Sequence, residues 1–394
     1  MTIKPYIIVP NLIEQPTWGG QYIAKHKQIK NKAITSKKIG QSYELYEHTN
    51  LSLKKSSKTN PTIEMGDSKN PQQAKLYATN DKPLPINQLI KQDPTKVLGS
   101  NSIKLFGPSM KTLVKYTQAK GNSYQIHVKK KTGRWLPKPE SWYFFKPGLV
   151  TLGVKASTDW VQYQSTCFNI SQLSLDLSKQ VKSKTLSLES ARKKLQSFIK
   201  ANNPEKFVNK LKIKSDQAID LSSCGIHHSW EENSLITPIG NIVYEVQENV
   251  YDNSSTLRSF DKGKIKDDGS VRELQLDDYF KYIDRSKTAN NPQSLLVKTI
   301  NIPSRDGMYS TSKIFRSKSY SMNQINFKGT YQDQTKNSFH HLFVKSGQLT
   351  LKTNQVILTL TSAFSVFIPA STGSYELFST NSAGKPTVVL KTFI

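Results

Sequence analysis

Residues 123–144 read SYQIHVKKKTGRWLPKPESWYF. Gln125 and His127 stand two apart, Lys138 and Glu140 stand two apart, and the basic stretch KKKTGR separates the pairs like the tip of a hairpin. In a β-strand, residues i and i+2 point to the same face. SYQIHVK and SWYFF are rich in β-branched and aromatic residues, so both flanks are predicted to be strands. If the two strands are neighbours, all four side chains meet on one surface. A histidine, a carboxylate and an amide oxygen then form a donor set for a divalent cation such as zinc. One further nitrogen ligand is needed, and SSCGIHHSWEEN offers His227 or His228 next to a glycine turn.

Outward from this stretch the same kind of run recurs. YELYEH, KTLVKYTQ, LVTLGVK, NIVYEVQEN, LLVKTINI, HHLFVKSGQLTLK and QVILTLTS all read as strands separated by Gly, Pro, Asn and Asp clusters. The chain is therefore predicted to be mainly β, built as sandwiches or barrels. One helix interrupts the pattern in SLESARKKLQSFIKANNPEKFVNKL. Ala191, Leu195, Phe198 and Ile199 share a face, Ser187 is the expected N-cap, and Pro204 ends the run. Residues 50–100 are polar and weakly patterned and are predicted to be rich in loops. The last ninety or so residues, from about 305, read as a second all-β unit.

Composition narrows the function classes. Lys and Arg number 56 against 29 Asp and Glu, a formal charge of +27. Such a field attracts anions, but the lysines are spread along the chain, with one run of three at Lys129–Lys131. Nucleic-acid binders concentrate their charge on one arm or helix, so the spread argues against nucleic acid as the partner. No apolar run reaches the 18 residues that suggest a membrane-spanning helix. The N-terminal MTIKPYIIVPNLIEQPTWGG lacks the apolar core and cleavage site of a signal peptide. Cys167 and Cys224 lie far apart in unlike contexts, which predicts free thiols and a cytoplasmic setting.

Six segments, in order, and the C-terminal tail resemble class I mannose-6-phosphate isomerases, zinc enzymes of the cupin superfamily. QPTWGGQYIAK is similar to the family's Trp-Gly-Gly segment, here Trp18, Gly19 and Gly20. IGQSYELYEHTNLS is similar to its Gly-Glu-Ser-Trp-Glu-Leu segment, with Gln41 and Tyr43 substituted. LFGPSMKTLVKYTQAKGNSYQIHV resembles the Leu-Val-Lys stretch that leads into Ser-x-Gln-x-His. LPKPESWYFFKPG resembles the Lys-x-Glu strand and CGIHHSW the metal-binding His turn. YEVQENVYDNSSTLRSFD resembles the strand and loop ending in Arg-x-x-Asp, and the tail with FIPASTGSYEL resembles the C-terminal cupin.

The resemblance implies two cupin-type β-barrel or sandwich domains with a short helical insertion. Residues 1–165 and 210–300 would form the metal-binding domain, 166–209 the insertion and 301–394 the C-terminal cupin. It implies one zinc ion per chain, held by Gln125, His127, Glu140 and His228, the last because it sits three after Gly225 and precedes Ser229. Arg258 and Lys138 would be catalytic, Ser123 and Lys115 would lie near the phosphate, Trp18 would line the pocket and Glu245 would face it. The implied reaction interconverts mannose 6-phosphate and fructose 6-phosphate through an enediol, in a monomer acting on a hexose 6-phosphate. Two departures stand out. Val128 replaces the family's proline after the metal-binding His, and the loop before Arg258 carries extra residues and reads SSTLR. Asp252 is either that loop's acidic residue, displaced by the insertion, or unrelated to it. The altered loop motivates an alternative: a cupin that binds metal or sugar phosphate without turnover. His340 and His341 resemble a cupin metal pair, but no matching Glu and later His follow, so a structural role is expected.

Overall fold

In the computed structural model, residues 3–53, 62–67, 73–77, 83–381 and 385–394 are described. Their strands fall into sheets of nine, eight, five and four strands, and the cores between them show how the sheets stack. Trp142, Phe144 and Val243 of the eight-stranded sheet share one apolar cluster with Val150, Leu152 and Trp230 of the five-stranded sheet. The opposite face of the eight-stranded sheet, with Val114, Tyr116, Tyr244 and Val246, packs on Met322, Phe343, Phe367 and Leu390 of the nine-stranded sheet. That sheet covers the four-stranded one through Ile325, Leu342 and Val366 against Leu349, Leu360 and Leu377. The molecule is thus mainly β: two sandwiches laid back to back. Strand Thr112–Ala119 is buried at every position because it lies in a layer covered on both faces.

Helices cover the outer face of the five-stranded sheet. Tyr124, Ile126, Val154, Val208 and Leu257 pack there against Tyr163, Cys167, Leu195, Tyr279 and Phe280. Helix Leu188–Asn202 starts as its sequence predicts, with the Ser187 hydroxyl accepting from Ser190 N. The sequence predicts one helix here, and the structure has a second, longer one, Trp160–Lys182, capped by Asp159. Its buried stripe includes Thr166, Cys167 and Ser178, so its apolar periodicity is weak in the sequence. From residue 86 on, the stretch 50–100 that was expected to be rich in loops is helical: Ile86–Gln92 and Pro94–Leu98 form short helices, and a third, Ser100–Phe106, begins at its end. Ile86, Leu89, Ile90, Val97 and Leu98 bury against the core and outweigh the polar composition. Residues 54–61, 68–72 and 78–82 of that predicted loop lie outside the described residues.

The N-terminal strand Tyr6–Val9 joins the nine-stranded sheet, between strands Ser365–Ile368 and Asn50–Ser52. Alternation then sends Ile7 into the core of the C-terminal sandwich and Tyr6 and Ile8 into the core between the sandwiches. No helix among the described residues is long and apolar enough to cross a membrane.

Candidate metal centre

The two halves of the opening stretch are not neighbours. Strand Tyr124–Ile126 lies in the five-stranded sheet and strand Glu140–Phe144 in the eight-stranded sheet that faces it. The donors meet across the cleft between two sheets rather than along one surface. Spacing of i and i+2 fixes a shared face, and it leaves the partner strand open.

On the five-stranded side, Gln125 stands between His228 of strand His228–Trp230 and Arg258 of strand Leu257–Phe260 in register. Residues opposite one another in a ladder share a face, so these three form a row turned to the cleft. His127 follows the strand directly and is buried. A tight turn delivers His228: Cys224 and Gly225 both adopt positive φ, 58° and 78°, and the Gly225 N–H donates to His127 O at 2.6 Å. One turn therefore ties the two histidine-bearing segments together.

On the eight-stranded side, Glu140 pairs with Gln247. The next row across the sheet runs Trp142, Glu245, Lys115 and Tyr43. Glu140 and Trp142 are two apart, so both rows face the cleft. Lys115 Nζ lies 3.2 Å from Glu245 Oε1, and Thr117 donates to Glu245 Oε2 at 3.4 Å.

At the centre, His127 Nε2 lies 3.3 Å from Glu140 Oε2 and His228 Nε2 lies 3.2 Å from Glu140 Oε1. His127 Nδ1 donates to Ser255 O at 2.8 Å and His228 Nδ1 donates to Ile226 O at 2.9 Å. In a neutral imidazole that leaves each Nε2 as a lone pair turned toward the carboxylate. Burial holds the His127 imidazole below the usual histidine range, with Glu140 only partly opposing it. Burial also acts to raise the Glu140 carboxyl; positive charge on the His127 and His228 rings, when they are protonated, outweighs it and holds the group well below the carboxylate range. His127 Nε2, His228 Nε2 and Glu140 Oε1 are buried without a hydrogen-bond partner. Leaving such atoms unsatisfied is costly, and a cation satisfies all three at once. Ligand atoms of His127, Glu140 and His228 all lie within 4.8 Å of one another, the one such His/Cys/Asp/Glu group among the described residues. Two nitrogens and a carboxylate fit zinc and similar divalent ions.

Beside these donors stands an ionic cluster that spacing alone did not reveal. Asp252 bridges Lys138 and Arg258, with Oδ1 2.8 Å from Lys138 Nζ and Oδ2 3.3 Å from Arg258 Nη2. The Lys138 and Arg258 side chains are only 6% and 12% exposed, whereas that of Asp252 is 59% exposed and forms the outer rim. Desolvation works to raise the Asp252 carboxyl, yet Lys138, Arg258 and Lys115 together hold it far below its usual range. Burial pushes the Glu245 carboxyl up, against the attraction of Lys115 and with help from Glu140.

The other sequence-predicted residues are placed as follows. Ser123 is buried two residues before Gln125, and Trp18 packs, partly buried, on the cluster of Trp142 and Trp230. His340 and His341 bond Tyr375 and Tyr244 through their Nδ1 atoms and belong to no metal-type group. Cys167 and Cys224 are free and buried. Sequence reasoning missed Tyr43, Trp142 and Trp230, which lie on the cleft-facing rows. For Trp142 and Trp230, alternation with Glu140 and His228 was the available signal; Tyr43 lies on another strand, Ile39–Leu45, and had none.

No protein-family model matches this sequence, and no curated protein does. Solved structures do share its fold from end to end. The mannose 6-phosphate isomerase from Bacillus subtilis superposes with a TM-score of 0.65 at 15% identity, covering 99% of each chain. The mannose 6-phosphate isomerase from Salmonella typhimurium bound to fructose 6-phosphate and zinc gives 0.63 at 13%, covering 98% of this chain and 99% of that one. At these identities the likeness establishes the fold.

Proposed function

We propose that the chain is a metal-dependent aldose–ketose isomerase that interconverts mannose 6-phosphate and fructose 6-phosphate through an enediol, with zinc as the resident ion. The observation that carries this reading is the convergence of His127, Glu140 and His228, buried and with unsatisfied ligand atoms, between the two facing sheets and beside Lys115, Lys138 and Arg258. The fold shared with isomerases supports it. Gln125, on the same row as His228, is the proposed fourth ligand. Bound there, the ion supplies Lewis-acid polarisation of the sugar oxygens.

The chain's own residues do the rest in this reading. Arg258 and Lys138 present two cations to the negative charge that develops on the substrate, and Asp252 holds both in place. Of the cleft carboxylates, Glu245 suits the transfer of the proton between C2 and C1. Its carboxyl is raised toward the working pH by burial, whereas Asp252 is held ionised by its cations and Glu140 is committed to the metal. Lys115, next to Glu245, and Ser123 are assigned to the phosphate, and Trp18 to the cleft wall.

The test is a coupled assay for fructose 6-phosphate formed from mannose 6-phosphate, run with and without a chelator. Turnover that disappears with chelator and returns with zinc supports the reading. Tight metal binding with no turnover would favour the alternative of a metal- or sugar-phosphate-binding protein.

A further inference from the structure

A chain of buried polar groups lies on the far side of the strand that carries His228. His228 and Trp230 point into the cleft, so His227, Ser229 and Glu231 point the other way, toward the helices. His227 is fully buried and held at both ring nitrogens: Nδ1 lies 2.6 Å from Tyr279 OH and Nε2 lies 3.1 Å from Thr151 Oγ1. Its ring stands edge-on to Tyr124, with centroids 4.6 Å apart. Thr151 continues to Ser229 at 2.6 Å, Ser229 donates to Glu231 at 2.8 Å, and Lys262 closes the chain on both Glu231 oxygens at 2.6 and 2.7 Å.

From these contacts we infer that His227 is a positioning residue for the metal centre. The proposal rests on the metal reading given above. Gripping the His227 ring fixes its Cα and, with it, the peptide that joins Ile226 to His227. The Ile226 carbonyl accepts from His228 Nδ1, so that peptide sets the tilt of the His228 ring and the aim of its Nε2 at Glu140. Partners that orient a ligating histidine from behind typically alter metal affinity 10–100-fold when lost. Tyr279 belongs to helix Leu276–Tyr282, so the helical layer takes part in aiming the ligand.

The experiment is a cobalt(II) titration of the full chain, reading the dissociation constant by chelator competition and the d–d absorption spectrum. His227→Phe is expected to weaken cobalt binding about tenfold and to change the d–d spectrum. His227→Gln, which keeps a donor and an acceptor, is expected to restore most of both. Should His227→Phe fail to fold, Tyr279→Phe removes one oxygen from the same chain and is expected to weaken binding in the same direction. Variants that melt earlier but bind cobalt with wild-type affinity and spectrum overturn the proposal alone. A wild-type chain that takes up no cobalt overturns the metal reading together with it.

Discussion

Asp252 is the residue on which the cleft's charge arrangement turns. It is mostly exposed, yet it holds two largely buried cations. Asp252→Asn keeps the shape and removes the charge, which leaves Lys138 and Arg258 free to separate. We expect kcat/KM for mannose 6-phosphate to fall about 100-fold or more, the scale of a lost preorganised electrostatic contact, while zinc content stays at the wild-type level. Steady-state kinetics with metal analysis on the same preparation check this. His127 and Glu140 were legible in the sequence because strand alternation leaves marks in spacing; the glycine turn narrowed the third ligand to His227 or His228, and only the family resemblance pointed to His228. The role of Asp252 was not legible, because its partners sit 114 positions before it and 6 after it and only the fold joins them.

At the scale of elements, Glu64 offers a sharp pH test. It sits in strand Ile63–Asp67, 5% exposed, and accepts from Asn50 Nδ2 at 2.5 Å. Burial raises its carboxyl from 4.5 to about 7, with the Asn50 bond opposing. The folded state therefore binds this proton more tightly than the unfolded state does. The contribution to stability is full below the unfolded value and is lost as pH rises through the folded one. Unfolding free energy should fall between pH 4.5 and about 7 by at most about 3 kcal/mol from this group, and Glu64→Gln should flatten that slope. Denaturant titrations across that range measure it. A cap prediction belongs here too: Asp159→Ala removes the acceptor for Val161 N and Gln162 N and should cost about 1 kcal/mol. Helix Leu188–Asn202 was readable because its cap and apolar face agree. Helix Trp160–Lys182 was not, because it buries hydroxyls and a thiol where the reading looks for Leu or Ile.

For the molecule as a whole, the strand Tyr6–Val9 stitches the two sandwiches together, with Ile7 in one core and Tyr6 and Ile8 in the other. Ile7→Ala should cost about 2–5 kcal/mol, and the chain should still unfold in one transition rather than two. Calorimetry that resolves separate melting of the C-terminal sandwich would contradict this coupling. The mainly β class was legible from the recurring strand runs. How the sheets stack was not, because alternation assigns residues to faces without saying which faces meet. The candidate metal centre depends on that stacking, since Glu140 reaches the histidines from the opposing sheet. The most direct measurement is therefore the zinc content of the purified full chain, wild type against Glu140→Ala, after dialysis against a zinc buffer. Close to one zinc per wild-type chain is expected, with loss of most of it in the variant. A wild type without zinc, or a variant that keeps it, would rule out a zinc site built on Glu140.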